Sequence, residues 1–110
     1  MKFEYLRDLD KLFSHRWEAL VILCLADQPA RFSELARATV EKAGVRLPDG
    51  NITRSLDRLR RKGLVGVRMD DRHRAYELTG SGQRRASELR FLLEALEDRE
   101  HDDRVGTTPR

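Results

Sequence analysis

Between Asn51 and Lys62 the chain reads N-I-T-R-S-L-D-R-L-R-R-K, a run of amide and guanidinium side chains whose spacing suits contact with a polyanion. Ile52, Leu56 and Leu59 recur at helical intervals and form one apolar stripe, while Asn51, Arg54, Arg58 and Arg61 fall toward the opposite side. A helix of about twelve residues is roughly 18 Å long, a rod that fits a DNA major groove. Arg54 and Arg58, one turn apart, are expected on one face, where one reads a guanine edge and the other grips phosphate, each contributing about 1 to 3 kcal/mol. Asn51 suits a bidentate contact with adenine. Arg60, Arg61 and Lys62 suit either phosphate contacts or charge that complements the helix dipole. Asp57 is placed to pair with Arg61 or to accept from a cytosine amino group. A charged stripe is also the ordinary solvated face of an amphipathic helix, so the surroundings must decide.

Those surroundings are basic. The net charge of the 110 residues is only +3, yet Arg46 to Arg74 holds nine cations (Arg46, Arg54, Arg58, Arg60, Arg61, Lys62, Arg68, Arg72, Arg74) against four acids (Asp49, Asp57, Asp70, Asp71). The remainder is therefore acidic by two. Charge gathered into one segment of a weakly basic protein is the footprint of a site that meets nucleic acid.

The elements that must position this segment follow from the apolar period. Phe3, Leu6, Leu9 and Phe13 mark a first helix with too little sequence around it to bury itself alone. After Ser14 as a cap, Trp17, Leu20, Val21, Cys24 and Leu25 repeat at i, i+3, i+4, i+7 and i+8, and Ile22 and Leu23 fill the other side, so this helix is expected to be the most buried. Asp27-Gln28-Pro29 ends it. Ser33 is expected to cap a third helix with Leu35, Ala36 and Val40 inward and Gly44 past its end. A turn through Pro48-Asp49-Gly50, longer than three or four residues, leads into the basic helix, with Asp49 or Asn51 as its cap, and completes a helix-turn-helix unit. Beyond Gly63 the period changes to two: Val65, Val67 and Met69, a turn at Asp70 to His73, then Ala75, Tyr76 and Leu78 make a hairpin with Arg72, His73 and Arg74 near its tip. Thr79 opens a last helix whose stripe is Ala86, Leu89, Leu92, Leu93 and Leu96. The fold expected is mainly α with a small two- or three-stranded antiparallel wing, residues 1–97 forming one domain with flanking dimerisation helices and residues 98–110 a flexible polar tail.

Several function classes fall away. One cysteine cannot form an internal disulfide, Cys24 sits where a small core residue belongs, and no Cys/His cluster has metal-ligand spacing, so no metal or cofactor is expected. His15, His73 and His101 lie in different elements and no serine has a base beside it, which argues against an enzyme. No apolar run approaches the roughly 20 residues of a membrane span, and no signal peptide precedes the acidic and basic residues at the start; a cytoplasmic location with no membrane partner is expected.

Four strings carry a resemblance. His15-Arg16-Trp17-Glu18-Ala19-Leu20-Val21-Ile22-Leu23, Arg31-Phe32-Ser33-Glu34-Leu35, Ile52-Thr53-Arg54-Ser55-Leu56-Asp57-Arg58-Leu59 with Gly63-Leu64-Val65, and Tyr76-Glu77-Leu78-Thr79-Gly80-Ser81-Gly82 resemble the HxlR-type bacterial transcription regulators over about Trp17 to Leu96. The MarR and PadR families share the architecture more loosely. The chain departs from the HxlR pattern in having no cysteine ahead of Trp17 and in a longer stretch from Val40 to Gly50. The resemblance implies a homodimeric winged helix-turn-helix protein that binds double-stranded DNA. In it Asn51, Thr53, Arg54, Ser55, Arg58 and Arg61 contact DNA from the recognition helix, and Arg68, Arg72, His73 and Arg74 from the wing. Phe3, Leu6, Leu9, Phe13, Leu89, Leu92, Leu93 and Leu96 are the expected dimer interface. The function expected is a repressor on a pseudo-palindromic operator; the alternative is a winged-helix adaptor that binds protein through the same surfaces. A small-molecule effector is compatible with either, although nothing polar in the sequence converges on a site for one.

Overall fold

The computed structural model describes residues 16–44 and 46–106, with side chains over 17–44 and 46–100. The expected first helix, with Phe3, Leu6, Leu9 and Phe13, and the Ser14 cap lie outside the described residues. Within them the order is α1 (Arg16–Asp27), β1 (Ala30–Arg31), α2 (Phe32–Ala43), α3 (Asp49–Arg61), β2 (Val65–Asp70), β3 (His73–Leu78) and α4 (Gly80–Gly106).

The hub is α1, which touches α2, α3, α4 and β3. Its buried residues are Glu18, Val21, Ile22, Cys24 and Leu25, while Trp17 and Leu20 are half-buried. The helix is thus rotated from the expected stripe, because one continuous line at i, i+3, i+4 and i+7 runs Glu18, Val21, Ile22, Leu25 and carries an acid into the core. At its C-terminal end the Asp27 carboxylate meets Lys42 at 2.8 Å and Arg90 at 3.4 Å, tying α1 to α2 and α4. The hydrogen bond from Lys42 holds the Asp27 carboxyl below its ordinary range. That stabilisation is present above the ordinary carboxylate range and fades as pH falls through the lowered value, though solvent screens it.

The helix-turn-helix differs from expectation at its caps. Arg31, not Ser33, precedes α2, and its N–H donates to the Glu34 carboxylate at 2.9 Å, one half of a capping box. A guanidinium has no acceptor, so the reciprocal half cannot form. On α2 the buried residues are Leu35, Ala36 and Thr39, whose hydroxyl donates to the Ala36 carbonyl at 2.7 Å; Val40, expected inward, is 41% exposed. Gly44 ends the helix in the left-handed conformation, φ +67°. Pro48, in place of Asp49 or Asn51, caps α3: its carbonyl accepts the Asn51 N–H at 2.9 Å, and Asp49 pairs instead with Arg46 at 2.9 Å. The longer turn is affordable because Leu47, 1% exposed, drops into the core and anchors it.

Ile52, Ser55, Leu56 and Leu59 form the buried side of α3. Its end is a Schellman motif, with Leu64 N–H on the Leu59 carbonyl (2.9 Å), Gly63 N–H on the Arg60 carbonyl (3.0 Å) and Gly63 at φ +75°. The sheet order is β1-β3-β2, all antiparallel, with Val65 opposite Leu78 and Asp70 opposite His73. The hairpin is therefore closed by two residues, Asp71 and Arg72, at φ +51° and +70°, as a primed turn that matches the twist of the strands requires. β1 adds only Ala30 opposite Tyr76 and Arg31 opposite Ala75, too short to leave an alternating pattern in the sequence.

Thr79 joins the wing to α4. Its N–H reaches the Leu64 carbonyl (3.0 Å), its hydroxyl donates to the Gly63 carbonyl (2.6 Å), and that same oxygen accepts the Gly82 N–H (3.1 Å) as the N-cap of α4. A Cβ on Gly82 would lie 2.1 Å from the Leu64 carbonyl oxygen, so the corner closes only around a glycine. Beyond it Ala86 and Leu89 are buried in this same core, Leu92 is half-buried, and Phe91, Leu93 and Leu96 are 72%, 45% and 59% exposed. Leu89 is therefore spent within the protomer, which corrects its place in the expected dimer interface. The helical backbone runs on to Gly106, past Asp98, where the polar tail was expected to begin.

Replacing Gly82 with alanine should destabilise the fold by about 1 to 3 kcal/mol, because the corner must open to admit the methyl group. Chemical denaturation measures this; an unchanged midpoint would show that the corner is not closed.

Candidate nucleic-acid interface

With Ile52, Ser55, Leu56 and Leu59 turned inward, a turn of about 100° per residue directs Arg54, Asp57 and Arg61 straight outward. Thr53 and Arg60 lie on the flank toward the wing, and Asn51, Arg58 and Lys62 on the flank toward α1. Thr53, Arg54, Asp57, Arg60 and Arg61 are exposed and Asn51 and Arg58 are half-buried, while Lys62, on the flank toward α1, keeps 42% of its side chain exposed. The Arg54 guanidinium donates to the Asn51 side-chain oxygen, so these two present a joined donor surface at the start of α3. Arg61 reaches back to the Asp57 carbonyl at 3.4 Å.

Two of the expected contact residues do not belong to that face. Ser55 is fully buried, because it sits between Ile52 and Leu59 on the core side, and its hydroxyl has no hydrogen-bond partner. Arg58 leans onto α1, where its Nε stands 3.5 Å from Glu18 Oε1; Lys62 Nζ stands 3.2 Å from each oxygen of the same carboxylate. Glu18 is 4% exposed, and a carboxylate this deep costs free energy unless its oxygens find partners. Sequence reasoning placed Arg54 and Arg58 together and missed Glu18. Its signal was an acid at the i position of the Val21, Ile22, Leu25 stripe.

The wing supplies the second group of basic residues. Arg72, His73 and Arg74 are exposed at and beside the turn. Arg68 is exposed as well but lies 3.6 Å from Glu77, which neutralises part of its charge. Arg31 was not anticipated: its guanidinium reaches the Asp70 carbonyl at 3.4 Å and carboxylate at 3.6 Å, bracing the tip from β1. Between α3 and β2 lies an open cleft of about 750 Å³, lined by Asp57, Arg60, Arg61, Val65, Gly66 and Val67. The structure thus brings Arg60 and Arg61 to one wall of a cleft whose other wall is the start of β2, with Arg54 exposed farther up the outer face of α3.

No group of three or more His, Cys, Asp and Glu side chains is placed to hold a metal among the described residues, and none of their helices is long and apolar enough to cross a membrane. Cys24 is buried, and desolvation pushes its thiol above the ordinary cysteine range.

No family model and no curated relative matches the sequence, so the likeness to known proteins is one of structure. The quinone-bound form of YodB from B. subtilis superposes with a TM-score of 0.66 at 22% identity, over 87% of this chain and 98% of that one. An apo mutant of Lactococcus lactis ZitR gives 0.70 at 18%, over 96% and 76%. The MarR family transcriptional regulator SPO1453 from Silicibacter pomeroyi DSS-3 gives 0.65 at 26%, over 88% and 68%. The fold is a winged helix-turn-helix. Its solved neighbours include transcriptional regulators, as the strings around Trp17, Ser33, Arg54 and Thr79 led one to expect.

The raised Cys24 pKa keeps the thiol protonated until pH climbs past the shifted value, so its thiolate fraction at any lower pH is below that of a free cysteine. In the folded protein at pH 8 a disulfide-exchange reagent should label Cys24 far more slowly than in denaturant. Equal rates in the two states would contradict the burial of Cys24.

Proposed function

We propose that this protein is a sequence-specific DNA-binding regulator of transcription, an HxlR-type repressor that acts as a homodimer on a pseudo-palindromic site. The observation that carries the reading is an exposed cationic face on α3 beside an open cleft whose other wall is the base of a hairpin with exposed basic residues at its tip. In this reading Arg54, with Asn51 beside it, addresses base edges in the major groove, and Thr53 contacts the neighbouring backbone. Arg60 and Arg61 take phosphates at the helix end. Arg72, His73 and Arg74 meet the flanking backbone or minor groove, with Arg68 contributing less because Glu77 competes for it.

The dimer interface proposed is the exposed apolar run of α4, Leu93 and Leu96 with Phe91 and the half-buried Leu92, together with Phe3, Leu6, Leu9 and Phe13. Exposed leucines and a phenylalanine on one long helix are an unsatisfied surface unless a second copy covers them. Two copies would set their recognition helices about one helical turn apart, roughly 34 Å. The place proposed for this activity is the cytoplasm.

Arg54→Ala should weaken binding to a selected site by about 1 to 3 kcal/mol and relax preference at one base position. Arg72→Ala should weaken binding evenly across sequences and lower the salt slope by about 1. Fluorescence anisotropy with selected and random duplexes measures both. A protein adaptor with the same fold would bind random duplex weakly even at low salt, and unchanged binding in both variants would refute the interface.

A further inference from the structure

Four cations occupy the last turn and cap of α3, Arg58, Arg60, Arg61 and Lys62, yet only two of them face the cleft. The other two converge on one carboxylate of a different helix. Glu18 Oε1 lies 3.5 Å from Arg58 Nε and 3.2 Å from Lys62 Nζ, and Oε2 lies 3.2 Å from the same Nζ. Arg58 Nε is buried and makes no hydrogen bond, so its approach to Glu18 is an ion pair. The helical geometry agrees independently, because both side chains leave α3 on the flank toward α1, on the far side from the wing.

We infer that Glu18 is a positioning residue for DNA binding: it draws Arg58 and Lys62 onto α1 and so withholds two cations from the surface that meets the duplex. The inference rests on the DNA-binding reading above. Its physical logic is that phosphate contacts add affinity without adding sequence information, and each one adds about 0.9 to the salt slope. Binding two of four terminal cations internally lowers the share of affinity that any duplex can obtain. It leaves discrimination to the Arg54 end of the helix. The same contact fixes the C-terminal half of α3 against the hub helix, so a single buried acid sets both the seat of the helix and its free charge.

The test is the salt dependence of binding to a random duplex, measured for the unchanged protein, E18Q, R58Q and the double variant E18Q/R58Q. The expected result is a slope steeper by about 1 to 2 in E18Q, as Arg58 and Lys62 become free for phosphate, and partial return toward the unchanged value in the double variant. R58Q alone should leave the slope unaltered. A slope in R58Q lower by about 1 would overturn the inference, because it would show Arg58 already on the DNA; so would an unaltered slope in folded E18Q. Should E18Q fail to fold, as judged by circular dichroism, R58Q decides the matter by itself. Absence of duplex binding by the unchanged protein would instead overturn the functional reading and this inference with it, an outcome distinct from the others.

Discussion

Ile52, Leu56 and Leu59 seat α3 in the core, each at 2% exposure or less, and Glu18 pins the helix from the side. The three aliphatic side chains contribute about 1.5 to 3 kcal/mol each by leaving water. The acid adds direction more than energy. An apolar stripe alone tolerates some rotation of a helix about its axis, whereas a buried carboxylate must keep its cations within a few ångströms. Every statement about which residues of α3 meet a partner follows from this seat.

The seat is carried to the wing and to α4 through one corner. The Schellman turn at Lys62 to Leu64 ends α3 and starts β2 within three residues, and Thr79 then binds the Gly63 and Leu64 backbone while capping α4. The end of α3, the base of the hairpin and the start of α4 are thereby tied together by hydrogen bonds, with Gly82 supplying the space that the crossing needs. At 27 residues, α4 is about 40 Å long and, among the residues described with side chains, buries only its first turns. The apolar side chains left exposed beyond them are the structural reason for proposing a second subunit.

Much of this was legible in the sequence, and for a common reason. Periodic burial writes itself into residue order, so α3, the hairpin and the Thr79 helix start could be read from apolar spacing and from Gly63 and Thr79 as punctuation. What escaped was set by tertiary contact. Leu47 stands in a turn, where no period announces a core residue. Val40 and Thr39 are neighbours on α2, and only the packing of α1 decides that the threonine goes inward, its hydroxyl satisfied by the Ala36 carbonyl. Arg58 lies at a helical position that a wheel leaves on the boundary, and it is Glu18, forty residues earlier, that draws it off the outer face. Leu89 has the spacing of an interface residue but lies close enough to the hub to be buried within the protomer.

The most direct trial of the account is a nuclear magnetic resonance titration of the labelled protein with a short duplex, followed through the backbone amides. Shifts concentrated at residues 50–54, 57, 60–61 and 71–74, with the buried side of α3 and the body of α1 little changed, are the predicted result. Shifts confined to α4 or to the outer face of α2, or none at low salt, would contradict the claim that this helix and wing together receive DNA.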